Sequence, residues 1–363
     1  MKIFVVTDQH FGLSSNDPYN FDYMIRYYKE QVFPALLKHK IRHVVDMGDT
    51  FDSSAQLNSS LACKFNSEYL SFFEKNNIKL HTLVGNHSKD AFNSVKFKGF
   101  ESFVLYESPR PLEIEGEELF AFPWGVSKDF NNGNFRDKIV FAHCTIRSML
   151  ANPERRIKGG IDSKFFSLAR QVICGHIHTT SSLGNIYNIG SSHYLRWQDA
   201  LHDEKRGGCL LDTQTGKMIK IINNFSRYIF INLVSGKTKS LRQIDKFSAV
   251  RVYLPLNSSL GKHESLAQKI HAADPSDLLV ISDVRDYWLE AKRLLHDGFY
   301  ASCGIICEYL FGCGVRSYEI EYMHAVARYH QGNYTGAYEK LVPHMPREAH
   351  ARWLAEKCLK LIN

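Results

Sequence analysis

The 363 residues are 44% apolar and 23% charged, a balance that buries a core and excludes the disordered classes, and the length predicts two domains or one and a half. No apolar run approaches the ~18 residues of a membrane span, and residues 1–6 lead straight into Thr7-Asp8 as a strand, too short for a signal peptide, so a cytoplasmic protein with no membrane partner is expected. Lysine and arginine exceed aspartate and glutamate by 7, which suits a polyanionic partner without requiring one, and eight cysteines with no paired C-x-x-C spacing read as reduced, mostly buried thiols.

An apolar run over 3–7 ends at Asp8-Gln9-His10 and gives way to a Gly-, Ser- and Asn-rich loop over 12–20. Tyr23, Tyr27, Val32, Leu36 and Leu37 then fall at helical spacing, predicting a helix over 21–38, and with the strand at Val44 this makes a βαβ unit. That second strand stops abruptly at Gly48-Asp49. It delivers Asp49 to the carboxyl edge of a sheet, where open α/β folds hold their ligands. A helix over 61–75 leads to a strand over 80–84 and to Gly85-Asn86-His87, and short, interrupted strands follow over 103–123. Two more apolar runs end in histidines: one at His143, the other at Gly175-His176-Ile177-His178, with a polar, basic loop between them. Antiparallel strands over 187–189, 209–212 and 217–222 close a first domain set at 1–234.

Residues 235–282 read as a linker and a reduced, cap-like βαβ unit, with elements over 249–254, 264–271 and 278–281, too small to fold alone. From 283 to 363 the pattern is all helix and it repeats. Trp288, Ala291, His296, Gly298 and Tyr300 recur as Tyr322, Ala325, His330, Gly332 and Tyr334, each 34 residues later. That is the tetratricopeptide period. Arg328 stands where the repeat carries an apolar residue, and two similar hairpins in an unrelated bundle are the competing reading.

In order, then, Asp8-x-His10, Gly48-Asp49, Gly85-Asn86-His87, His143 and Gly175-His176-x-His178 each sit where a buried strand becomes a loop. One histidine on a strand is ordinarily structural; five such ends together read as a metal site. Imidazole, carboxylate and amide oxygen suit Mn²⁺, Fe²⁺ or Zn²⁺ and not Ca²⁺ or a thiolate site.

This set resembles that of the calcineurin-like metallophosphoesterases, and the resemblance runs from residue 1 to about 223. It implies an α/β fold, the α-β-β-α sandwich of that superfamily, here followed by the βαβ unit and the tetratricopeptide-like all-α region. It also implies two divalent cations, Mn²⁺ foremost. Asp8, His10, Asp49 and His178 would hold one, and Asp49, Asn86, His143 and His176 the other, with Asp49 as the bridge. Such a pair acidifies a shared water and neutralises phosphoryl oxygens. His87, next to a ligand, is implied as the acid that protonates the leaving oxygen. Ser88 stands where the family carries aspartate, so the orientation of His87 falls to Asp52 or Asp90.

Within the superfamily, Gly48-Asp49-Thr50-Phe51-Asp52-Ser53, Ala142-His143-Cys144-Thr145, Gly175-His176-Ile177-His178-Thr179 and the stretch over 189–213 resemble the SbcD nucleases and their bacteriophage counterparts. This resemblance implies an exonuclease or endonuclease acting in DNA end processing, recombination or repair, in a bacterium or a phage-infected cell. DNA, an SbcC-like ATPase subunit and a second copy of the chain are the expected partners. Arg147, Arg155, Arg156, Lys158 and Lys164, between His143 and His176, are candidate phosphate contacts, weighed evenly against a solvated loop face. Trp197 beside Arg196 is a candidate for base stacking, though a core or lid role is commoner. The rival enzyme is a phosphomonoesterase or protein phosphatase, since the same two-metal site serves both; the non-enzymatic rival, a scaffold with a vestigial site, is opposed by the complete ligand set.

Overall fold

The structure is a computed structural model, and it describes residues 1–52, 57–87, 100–112, 114, 116–126, 130–152, 155–195, 199, 205–225, 228–234, 244, 248–273, 275 and 277–362. Ser88, Asp90, Arg196 and Trp197 lie outside the described residues, as does most of the stretch expected as a linker. By its contacts the chain divides into two compact units, Met1–Tyr228 and Ile229–Asn363.

Among the described residues the first unit holds two six-stranded sheets. In one, β1 (Lys2–Val6), β2 (His43–Asp46), β3 (Lys79–Leu83) and β4 (Phe103–Tyr106) run parallel, and β13 (Gly207–Asp212) and β14 (Met218–Ile222) continue it antiparallel beyond β1. In the other, β6 (Leu119–Phe122), β7 (Ile139–His143), β10 (Gln171–Gly175) and β12 (Ile186–Asn188) are parallel, edged by the antiparallel β5 (Arg110–Pro111) and β11 (Ser181–Leu183). Between the sheets lie Ile3, Val5, Val45 and Leu83 from the first and Ala121, Ile139, Phe141 and Ile173 from the second. The alternate residues Phe4, Val6, Val44 and Leu80 face outward onto Phe21, Tyr27, Tyr28, Phe65, Tyr69 and Phe73. Burial on both faces explains why these strands read as continuous apolar runs.

Two long helices supply that aromatic layer. Pro18–Tyr27, Tyr28–Val32 and Phe33–Lys38 run on as α1, and Ser59–Lys64, Phe65–Leu70 and Ser71–Lys75 as α2, each with a π-helical middle. Asp17 caps α1 by accepting from Tyr19 N (2.9 Å), with Pro18 in the first turn. Tyr27 then pins α1 to the sheet: its hydroxyl donates to Ile221 O (2.8 Å) and accepts from Gly208 N (2.9 Å). The outer face of the second sheet is covered differently. Among the described residues its Val140, Ala142, Val172 and Cys174 pack under Phe135 and Phe166, which sit in the 3-10 turns Asn132–Phe135 and Ser163–Phe166 rather than in the α-helical layer a four-layered sandwich predicts.

On β3, buried His81 pairs through Nδ1 with the Tyr106 hydroxyl (3.0 Å) and through Nε2 with His43 Nδ1 (3.1 Å). Burial, and then the neighbouring His43, pull His81 down to about 3, whereas an unfolded histidine titrates near ~6.5. Between those values the unfolded chain binds the extra proton. Folding stability should therefore fall as pH drops below ~6.5, by up to ~1.4 kcal/mol per pH unit, until the folded group also titrates. Urea titrations at neutral and mildly acidic pH check this: the gap between them should narrow in His81→Gln, and an equal gap would remove His81 as its cause.

In the second unit β15 (Tyr228–Asn232), β16 (Ala249–Tyr253) and β17 (Asp277–Ile281) form one sheet, with α3 (Glu264–Ala273) connecting the parallel β16 and β17. The boundary expected at 234 falls two residues beyond β15, whose neighbour in the sheet is β16. Five helices follow: α4 (Val284–His296), α5 (Tyr300–Gly312), α6 (Tyr318–His330), α7 (Tyr334–Leu341) and α8 (Ala349–Ile362). Each packs on the next, α4 also touches α6, and α6 touches α8. Buried Glu290 on α4 binds Arg251 (3.1 Å) and the Tyr253 hydroxyl (2.6 Å), and the Tyr287 hydroxyl donates to Leu254 O (2.6 Å), so the small sheet and the helices share one body. Among the described residues no helix is long and apolar enough to cross a membrane.

Candidate active site

The ends of β1, β2, β3, β7 and β10 deliver the candidate ligands. Beyond its last paired residue, β1 stays tied to the loop after β2: Asp8 N donates to Gly48 O (3.0 Å), His10 N to Asp49 O (2.9 Å) and Phe11 N to Thr50 O (2.8 Å). Asp8, His10, Asp49 and His176 all have left-handed backbones, with φ of 50°, 52°, 50° and 86°. Non-glycine residues there cost of order 1 kcal/mol or more each, a strain that clusters at functional sites. Two glycines make room for the packing. A Cβ at Gly85 would collide with the Asp49 carboxylate, and one at Gly175 with the Thr7 hydroxyl.

Seven side chains converge. Asp8, His10 and His178 form one group whose ligand atoms lie within 4.8 Å of one another, and Asp49, His143 and His176 form a second by the same measure. In the first, His10 Nε2 and His178 Nε2 stand 3.9 and 3.8 Å from Asp8 Oδ1. In the second, Asn86 Oδ1 lies 3.1 Å from His143 Nε2 and 2.8 Å from His176 Nδ1. Asp49 Oδ2 faces both: it is 3.9 Å from His10 Nε2 and 3.3 Å from His143 Nε2.

The donor chemistry fits a cation. His143 Nδ1 donates to Met47 O (2.9 Å), which leaves a neutral ring with its Nε2 lone pair aimed at two more acceptors, Asn86 Oδ1 and Asp49 Oδ2. His10 is similar. Its Nδ1 bonds Asp52 Oδ1 (3.0 Å), and its Nε2 is buried with no hydrogen-bond partner. A proton is the substitute when no metal is bound. Burial works against it, but the Asp49 charge and hydrogen bond push His143 up to about 9, and the same Asp49 is held well below the usual carboxylate range. Burial and the His143 charge instead pull His176 down to about 4.

His87 belongs to neither of these two groups but adjoins the first through His10. Its backbone N–H donates to Asp49 Oδ1 (2.8 Å), its Nδ1 bonds the backbone carbonyl of Asp52 (2.6 Å), and its ring meets His10 edge-on at 5.0 Å. Asp52 therefore orients His87 through its main chain, while its carboxylate serves His10. His10, Asp52 and His87 also bring ligand atoms within 4.8 Å of one another.

Two features escape a reading of strand ends. Beneath the Asp49 turn, buried Asp46 accepts from Gln9 Nε2 (2.8 Å), the Thr50 hydroxyl (2.6 Å) and Gly48 N (3.2 Å), and burial pushes it up to about 7. The Tyr28 hydroxyl donates to Gln9 in turn, so α1 helps to hold the turn. Trp124, just after β6, lays its ring 4.6 Å from that of His176. The only local signal was an aromatic residue after Phe122-Pro123, at the end of an apolar run.

The basic loop is a hairpin of β8 (Leu150–Asn152) and β9 (Arg155–Arg156), tied to the segment after His178 by Thr179 Oγ1 donating to Ala151 O (3.2 Å). Arg147, Arg155, Arg156 and Lys158 are exposed and lie outside the ligand groups; Arg147 approaches Asp162 (3.8 Å) and Arg156 donates to Ser148 O (2.8 Å).

Comparison with known proteins bears on this geometry. Over 283 residues the chain is 23% identical to Exonuclease subunit 1 of Enterobacteria phage T4, an alignment that covers 74% of this chain and 82% of that protein. The model of the calcineurin-like phosphoesterase family matches residues 1–202. Those bounds take in more than half the chain and enclose every clustered side chain from Asp8 to His178, and the chain accordingly belongs to the calcineurin-like phosphoesterases, hydrolases of phosphoester bonds that work with divalent metal ions.

Proposed function

We propose that the chain is a two-metal DNA nuclease of the SbcD kind, hydrolysing phosphodiester bonds with Mn²⁺ as its preferred cation. The observation that carries the reading is the placement of Asp49 Oδ2, within 4 Å of a ligand nitrogen in each group. Asp8, His10 and His178 would hold one ion and Asn86, His143 and His176 the other, with Asp49 placed to serve both. Cations bound there supply Lewis acidity, which acidifies a water and offsets charge on the phosphoryl oxygens. The chain's own groups do the rest. His10 and His143 are fixed by Asp52 and Met47 so that their Nε2 atoms point inward, and His87, its Nδ1 occupied by Asp52 O, is left with Nε2 to protonate the leaving oxygen.

DNA is favoured as substrate by the relative's name, an exonuclease subunit, and by the basic hairpin beside the segment that follows His178. The word subunit also favours a partner. Helices α4 and α6 are both 13 residues long and start 34 residues apart, with Gly298 and Gly332 in the same left-handed turn (φ 81°), which supports a tetratricopeptide-like tail. Stacked hairpins of that type hold a peptide or helix, and an SbcC-like ATPase is the partner we assign to it. The test is purified protein with Mn²⁺ on linear DNA and on a small aryl phosphomonoester. Turnover of DNA alone is expected; turnover of the monoester alone would transfer the site to the phosphatases.

The hairpin carries its own prediction. If Arg155, Arg156 and Lys158 touch phosphates, replacing all three by alanine should weaken binding to DNA of any sequence and flatten the salt dependence by up to about one unit of slope per lost contact, with hydrolysis of a small phosphodiester unchanged. Binding isotherms at several salt concentrations measure this, and an unaltered slope would make the hairpin plain surface.

A further inference from the structure

A groove of about 400 Å³ opens in the first unit, lined by Trp124, Val126, Cys144, Thr145, Gly160 and Ile161 among others. That volume is ordinary for a ligand site, ~300–1,000 Å³, and among the described residues no charged side chain lines it. Cys144 and Thr145 follow directly on the candidate ligand His143. Trp124 joins the groove to the metal-binding cluster more closely still. Its backbone N–H donates to Val84 O (2.9 Å), just ahead of Gly85-Asn86-His87, and its ring lies 4.6 Å from His176 and 6.0 Å from His143 between centroids. Although packed on those imidazoles, Trp124 remains 39% exposed, so part of it is open to a ligand.

We propose that Trp124 and this groove form a subsite for one nucleobase of the strand being cut, the base next to the phosphodiester held at the cluster. The proposal rests on the nuclease reading above. Among the described residues its side chains are apolar or aromatic apart from Cys144 and Thr145, a lining better suited to a base than to a phosphate. What it offers is a flat aromatic face, which stacks on any base. A base within a duplex already stacks on its neighbours, so it reaches Trp124 only after leaving them. Single-stranded or frayed ends are therefore cut in preference to fully paired ones, with little regard for sequence.

The test uses the full-length protein with Mn²⁺ and end-labelled single-stranded oligonucleotides in which one nucleotide at a time is made abasic. Wild-type kcat/KM should drop about five- to a hundredfold when the abasic position flanks the mapped cut, and little when it lies several nucleotides away. Trp124→Ala should show a similar drop on the intact strand with its bound Mn²⁺ unchanged, and no further drop on the abasic one. Trp124→Phe should recover most of the loss. Equal wild-type cleavage of abasic and intact strands overturns the subsite, as does a Trp124→Ala penalty of the same size on both. Should Trp124→Ala lose metal, the wild-type abasic series and Trp124→Phe still decide. The two readings fail differently: absence of any DNA cleavage sinks the nuclease assignment together with the subsite, whereas cleavage blind to the abasic position removes the subsite alone.

Discussion

Asp49→Ala is expected to lose both cations and about a thousandfold or more of the turnover, the largest single effect in the molecule. The reason is geometric. Asp49 Oδ2 lies 3.9 Å from His10 Nε2 and 3.3 Å from His143 Nε2, so one truncation removes a ligand from each group. Alanine also has to adopt the left-handed backbone at this position, φ 50°, which an asparagine tolerates better. Asp49→Asn is therefore the cleaner variant: it keeps shape and backbone and removes only the charge. Metal content after dialysis, read beside turnover, should fall for both ions in both variants. In metal-free protein the same change has a second signature. His143 is pushed up to about 9 chiefly by Asp49, against burial, so its ring should titrate at lower pH in Asp49→Asn, visible by NMR. Near-normal turnover with two bound ions would refute the bridging assignment.

The parts of this site that were legible in the sequence share one property: they are local. An apolar run that breaks at Gly-Asp, Gly-Asn-His or Gly-His-x-His marks a strand end wherever the strand lies, and the structure brings the seven candidate ligands into two adjoining groups. The 21–38 and 61–75 helices were equally readable, but not their π-helical middles, Tyr28–Val32 and Phe65–Leu70, which apolar spacing does not mark. Which face each strand residue takes was not legible either, because strands buried on both sides carry no alternation. Long-range contacts were the blind spot. The split duty of Asp52, carboxylate to His10 and carbonyl to His87, follows from the loop after β2 lying along the one after β1. Trp124 meets His176 only because β6 and β10 flank β7 in the same sheet. The reduced outer layer on that sheet is likewise a matter of packing, since Phe135 and Phe166 cover it from turns that sequence periodicity does not mark.

His87→Ala should separate chemistry from metal binding. The His87 backbone N–H that donates to Asp49 Oδ1 (2.8 Å) survives the substitution, so the bridge keeps its support and both ions should remain. What disappears is an imidazole whose Nδ1 is held by Asp52 O, leaving Nε2 as the nitrogen that can pass a proton outward. General-acid catalysis of this kind is worth ~10²–10⁴ in rate. The full loss is expected for DNA, whose alkoxide leaving group needs a proton, and only a small one for an aryl phosphodiester whose phenolate leaves without help. That contrast is the decisive measurement, because a merely structural role would slow both substrates alike. His10, Asp52 and His87 do bring ligand atoms together, so the opposite result has a definite meaning: if metal content in His87→Ala falls as far as in Asp49→Asn, His87 is a ligand and the proton must come from elsewhere.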